Sequence, residues 1–185
     1  MNAFVPILWN PNVVAQSTYD NESTLNWSTG TQSSAVALST TVGGDNGTQA
    51  VRFTYSGTTT GALGVNNNTD IPVVASTTYH VTWAAYVTVA SVSVAIDIDW
   101  YTSGQVFIST STTSAQSLTA NIWNFIRDQA VTTPATAAFA RCNVKRTAGL
   151  TTGNFVYVDS LALATRSKNP QPATVIQAPM RASFW

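Results

Sequence analysis

Two adjoining stretches decide the fold: Tyr79-His80-Val81-Thr82-Trp83-Ala84-Ala85-Tyr86-Val87-Thr88-Val89 and Val92-Ser93-Val94-Ala95-Ile96-Asp97-Ile98-Asp99-Trp100-Tyr101. In the first, Tyr79, Val81, Trp83, Ala85, Val87 and Val89 share one phase of a period of two, and His80, Thr82, Ala84, Tyr86 and Thr88 share the other. The second repeats the pattern, with Val92, Val94, Ile96, Ile98 and Trp100 against Ser93, Ala95, Asp97, Asp99 and Tyr101. Successive side chains of a strand point to opposite faces, so this alternation marks strands with one face in a core and one in water. Val81, Trp83, Val94, Ile96, Ile98 and Trp100 are therefore expected to be buried. Cys142 and Val144 join them from Ala137 to Arg146, which alternates in the same way.

Working outward, further strands are expected at Ala35 to Thr41, Ala50 to Tyr55, Ala62 to Val65, Val106 to Ser109, Ile122 to Gln129 and Asn154 to Ala164. Gly43-Gly44-Asp45-Asn46-Gly47, Asn66-Asn67-Asn68, Thr102-Ser103-Gly104 and Ala148-Gly149 punctuate them with residues that suit turns. No segment shows sustained helical periodicity, and no fixed-period repeat is present. About nine short strands with frequent turns predict an all-β protein, a two-sheet antiparallel jelly-roll sandwich. The body spans residues 13–164, with an extended N-terminal arm at 1–12 and an extended C-terminal arm at 165–185, where Pro170, Pro172 and Pro179 oppose a central strand.

Charged residues make up 9% of the 185 residues while 44% are hydrophobic. An ordinary globular chain has about a quarter charged, so neutral Thr and Ser must cover the surface, and β-branched Thr favours sheet. The formal net charge is zero, which gives no general case for nucleic acid or membrane as a partner. The lone Cys142 excludes an internal disulfide. Met1 to Trp9 lacks a basic leader region and is interrupted by Pro6, so no signal peptide is expected. Met180, Phe184 and Trp185 make the C-terminal arm too apolar for a solvating linker and predict that it docks on another polypeptide.

Catalytic readings are weak. His80, the only histidine, sits on a polar phase with no nucleophile or carboxylate motif beside it. Asp97 and Asp99 are two apart on one face, about 6.5–7 Å between Cα atoms. That spacing suits a glycosidase pair in distance but not in approach, because both acids come from one strand. No enzyme is expected. Tyr86, Asp97, Asp99, Tyr101 and Arg141 read instead as a shallow sugar-binding surface, with rings for the apolar face of a pyranose and polar groups for its hydroxyls. An ordinary exposed face in which Arg141 or Lys145 neutralises the acids is the competing reading.

Ser17-Thr18-Tyr19-Asp20, Trp27-Ser28, Val51-Arg52-Phe53, Thr77-Thr78-Tyr79-His80-Val81, Trp123-Asn124, Ala140-Arg141-Cys142-Asn143-Val144 and Phe155-Val156-Tyr157-Val158-Asp159-Ser160-Leu161 follow one another in a telling order. Together they resemble the family 4/9/22-like carbohydrate-binding modules, with a galactose-binding-like jelly roll, as found in minor tail and capsid decoration proteins of tailed bacteriophages. The resemblance covers roughly residues 13–164 and implies a structural calcium held by Asp20 and Asp159, although Ser17-Thr18 stands where the family usually has Asn-Pro-Ser. It also implies a non-enzymatic virion structural protein, assembled in the host cytoplasm, homo-oligomeric, with capsid or tail subunits as partners and a cell-surface glycan as a further ligand. The alternative it implies is a carbohydrate-binding module adhering to cell-wall polysaccharide.

Overall fold

A computed structural model describes residues 17–19, 27–40, 42, 49–66 and 70–165. Asp20, the arm at 1–12, and Met180, Phe184 and Trp185 with the rest of the C-terminal arm beyond Thr165 lie outside the described residues.

The described residues form thirteen strands and no helix: β1 (Ser17–Tyr19), β2 (Trp27–Thr29), β3 (Ser33–Ser39), β4 (Ala50–Tyr55), β5 (Gly61–Asn66), β6 (Ile71–Pro72), β7 (Thr78–Val87), β8 (Val92–Tyr101), β9 (Phe107–Thr112), β10 (Gln116–Leu118), β11 (Trp123–Thr132), β12 (Phe139–Ala148) and β13 (Phe155–Ala164). They make two antiparallel sheets. The first runs β11-β7-β13-β4-β3, with β1 beside β13, and the second runs β10-β8-β12-β5-β2, with β6 on β12 and β9 on β8. The chain is thus an all-β, two-sheet antiparallel sandwich, as the alternation predicts.

Val81, Trp83, Val94, Ile96, Ile98, Trp100, Cys142 and Val144 are all buried between the sheets. Trp100 is wholly enclosed, and its Nε1 donates to Ser111 Oγ at 2.9 Å, so its one polar atom is satisfied at the sheet edge. Trp27 packs edge-on against Phe53, with centroids 5.4 Å apart. A Cβ on Gly64 would run into the Phe53 ring, so this glycine lets the ring lie against the backbone of β5.

The turn from Thr88 to Ser91 positions the two faces. Strands joined by so few residues usually pair as a hairpin. Here β7 belongs to the first sheet and β8 to the second, and the turn arches between layers with Ser91 in the left-handed region at φ 62°. Neighbours in sequence therefore present their polar phases on opposite sides of the molecule.

Candidate functional site

The outer face of the second sheet carries most of the polar residues singled out in the sequence. Asp97 and Asp99 on β8 face Arg141, Asn143 and Lys145 on β12, but the bonds run diagonally across the register rather than straight across it. Lys145 Nζ lies 3.1 Å from the Asp97 carboxylate, Asn143 Nδ2 donates to Asp99 at 2.7 Å, and Thr112 and Thr110 on β9 donate to Asp97 and Asp99. Arg141 bypasses both acids. Its Nε donates to Asp70 at 2.7 Å and its Nη2 to Gln105 at 3.0 Å, while its guanidinium carbon sits 4.5 Å from the centroid of the Tyr101 ring. The Arg141 hydrogen bond, aided by Gln105 and opposed by burial, holds the Asp70 carboxyl below its ordinary value. Each of these carboxylates already has internal donors, so the face is an interlocked polar ladder.

Tyr86 is not part of it. It lies on β7 in the first sheet, on the opposite side of the sandwich, so the five residues Tyr86, Asp97, Asp99, Tyr101 and Arg141 do not form one patch. Alternation had placed each of them outward correctly. It could not say which sheet each strand joins.

What Tyr86 does join is a row of rings. Trp123 on β11 stands opposite Tyr86, Tyr86 opposite Tyr157 on β13, and Tyr157 opposite Arg52 on β4. The Trp123 and Tyr86 centroids are 5.9 Å apart, Tyr86 and Tyr157 are 5.8 Å apart, and Phe155 lies 6.2 Å from Tyr157 on the same face. The guanidinium carbon of Arg52 sits 4.7 Å from the Phe155 centroid. Tyr157 is buried among its neighbours, Trp123, Tyr86 and Phe155 are partly exposed, and Phe125, on the same phase of β11 as Trp123, is half exposed. Mutually inclined rings lock one another in place. Rings that a sequence reading would send to the core are thus held outward in a band crossing three strands, with Arg52 on the fourth. Trp123, Tyr157 and Phe155 escaped the sequence reading as site residues. The available signal was three long strands, each with an aromatic residue in its polar phase.

Two groups with chemical potential contribute little. Cys142 is fully buried, and burial with Asp99 nearby pushes its thiol up to about 12, so it is no nucleophile at neutral pH. Asp159 is completely buried, its Oδ1 accepts from Ser160 N at 2.8 Å, and the β13–β7 register breaks between Asp159 and Ala162. The pairing of Tyr19 with Leu161 brings the end of β1 to that bulge. Among the described residues no three His, Cys, Asp or Glu side chains gather to hold a metal ion. Asp159 alone does not supply the oxygens a calcium ion requires, and Asp20 is not among the described residues.

No family model and no curated protein matches the chain. Solved structures do. The CBM22-1 xylan-binding domain from Paenibacillus barcinonensis Xyn10C aligns with TM-score 0.57 at 9% identity, covering 84% of this chain and 96% of that one. The C-terminal family 22 carbohydrate binding module of Clostridium thermocellum Xyn10B aligns at 0.55 and 15%, covering 80% and 91%. The N-terminal CBM22-1-GH10 portion of that xylanase, solved with xylohexaose, gives 0.59 at 10% identity; the match covers 85% of this chain but only 29% of that longer one. The enzymatically active domain of bacteriophage CBA120 tailspike protein 4 gives 0.54 at 12%, covering 78% of this chain and 20% of the other. At these identities the likeness shows the fold, and that fold is the β-sandwich jelly roll of carbohydrate-binding modules.

Proposed function

We propose that the chain is a non-catalytic carbohydrate-binding module whose glycan lies across the outer face of the first sheet, along Trp123, Tyr86 and Phe155. The observation that carries this reading is the cross-strand row of outward rings on a fold shared with modules named as xylan-binding. Strands about 4.8 Å apart make the three steps from β11 to β4 roughly 14 Å, room for a short oligosaccharide running across the strands. Aromatic rings cover the apolar faces of pyranoses, and Thr54 and Thr82 on the same face offer hydroxyls. The absence of catalysis is part of the proposal. It is supported by the engagement of Asp97, Asp99 and Asp70 in internal bonds.

The test is affinity electrophoresis through gels containing xylan, mixed-linkage β-glucan or bacterial cell-wall polysaccharide. Trp123→Ala and Tyr86→Ala should each weaken retention about tenfold or more, as hot-spot aromatics do, and Tyr101→Ala on the opposite face should not. Retention lost in Tyr101→Ala and kept in the other two would move the site to the second sheet.

A second reading places the same module in a bacteriophage virion, as capsid decoration or a minor tail protein, with capsid or tail subunits and further copies of itself as partners. The similarity to a tailspike domain favours it. Mass spectrometry of purified particles tests it, and absence of the chain from them would remove it.

A further inference from the structure

Three arginines of the described residues lie over aromatic rings, and their partners differ. Arg141 stands over Tyr101 and gives its Nε and Nη2 to Asp70 and Gln105. Arg146 stands over Tyr55, with its guanidinium carbon 4.9 Å from the centroid; its Nη2 donates to the Leu150 carbonyl at 3.4 Å, and its Nε is buried without a hydrogen-bond partner. Arg52 stands over Phe155 at 4.7 Å, and its Nε is likewise buried with no hydrogen-bond partner. At Arg141, on the outer face of the second sheet, the arginine–ring pair is thus completed by a carboxylate of the protein. On the first sheet the same pair lacks its acid.

We infer that the first sheet recognises a glycan bearing a carboxylate, a uronic acid residue or side branch, and that Arg52 is the residue that selects it. This rests on the reading of that face as the glycan site. The register puts Arg52 directly opposite Tyr157, so the cation continues the row Trp123, Tyr86, Tyr157 by one strand step. A sugar chain lying along the rings thus ends on a guanidinium. The planar fork of Arg matches a carboxylate with two parallel hydrogen bonds, and the ring beneath keeps the fork oriented while its donors turn toward the ligand. The only described carboxylate on the same face, that of Asp159, is fully buried, so among the described side chains none competes for Arg52 from the surface. Arg141 with Asp70 shows a comparable arrangement within this molecule: a ring below the guanidinium and an acid bonded to it.

The experiment is calorimetric titration of the full chain with two probes, a xylo-oligosaccharide carrying a glucuronic acid branch and the same oligosaccharide with that carboxyl reduced to the alcohol. The acidic probe should bind about tenfold more tightly at low ionic strength, the gain of one charge-assisted pair. Added salt should narrow the advantage. In Arg52→Gln the ratio between the probes should fall to about one, and in Arg52→Lys, which keeps the charge and loses the fork, it should recover only in part. Should the Gln variant fail the unfolding control, the Lys variant alone decides. Equal affinities for both probes in the unmutated chain would overturn the inference while leaving the glycan site standing. An acid preference that survives both substitutions would also overturn it. Failure of both probes to bind would overturn the glycan reading itself.

Discussion

Gly149→Ala, set beside Gly153→Ala, gives a direct test of how closely the turn after β12 packs against the start of β8. Both glycines adopt positive φ, 83° and 90°. An L-residue in that region costs about 1–2 kcal/mol, and the stiffer unfolded chain returns about 0.4–1 kcal/mol. At Gly153 nothing lies within 4 Å of an added Cβ, so the net loss there should be about 1 kcal/mol. At Gly149 the added Cβ would collide with the Ser91 carbonyl and come 2.8 Å from Val92 Cα, both backbone atoms that no rotamer change can move. Relief requires the Gly149–Leu150 turn to draw back from the start of β8. Leu150 is 5% exposed and belongs to the core, so drawing it out forfeits part of the roughly 1.5–3 kcal/mol that burying such a side chain contributes. The total for Gly149→Ala comes to about 2–3 kcal/mol, a large share of an ordinary domain's 5–15 kcal/mol. Urea titration followed by tryptophan fluorescence reads the difference as a shift in midpoint at constant slope. Equal losses in the two variants would refute the close approach of β12 to Ser91.

Tyr79 is fully buried with its Oη accepting from Val74 N at 3.0 Å, so Tyr79→Phe should cost about 1 kcal/mol in the same titration; an unchanged midpoint would show that water replaces the bond. The folded-state pKa of Asp70 is depressed, so its contribution is complete above the unfolded carboxyl value of about 4 and is lost as pH falls through the folded value. Wild type and Asp70→Asn should therefore converge in stability below about pH 4 and diverge above it, by on the order of 1 kcal/mol or less for so exposed a pair, and parallel curves would contradict this. The calcium that the resemblance implies at Asp20 and Asp159 would stabilise the native state by mass action, so excess chelator should lower the melting temperature and added calcium restore it. An unchanged melting curve counts against it.

Burial phase was legible in the sequence because period-two alternation is a local property. Trp83 and Trp100 could be sent to the core, and Tyr86 and Asp97 to the surface, from their immediate neighbours. Four strands, β1, β2, β6 and β10, escaped because two or three residues are too few to show any alternation. The sorting of strands between sheets is a global property. A short turn between two well-formed strands reads as a hairpin, and only the pairing of β7 with β11 and β13, and of β8 with β9, β10 and β12, reveals an arch. That is why five correctly exposed residues were gathered into one surface when the fold divides them. The acids illustrate a finer limit. Lys145 does neutralise Asp97, as one sequence reading held, but Arg141 goes to Asp70, which stands in a loop 71 positions away with no pattern to announce it.

The unequal treatment of the two faces is itself an argument about which one meets a ligand. A chain with 9% charged residues has few ions to place, and the second sheet uses Asp97, Asp99, Lys145, Arg141 and Asp70 against one another or against Asn and Thr. A ligand docking there would have to strip water from ions and compete with bonds already made, both unfavourable. The first sheet presents rings and threonine hydroxyls, which a sugar can dry at much smaller cost, and it holds those rings in fixed inclinations before any ligand arrives. Arg52, held over Phe155 at the β4 end of the row with no carboxylate of the described residues on its guanidinium, is then a place where an acidic ligand meets no internal competitor. A ligand that leaves Arg52 unengaged uses the rings alone, and for such a ligand the contribution of Trp123 and Tyr86 should account for nearly all of the affinity.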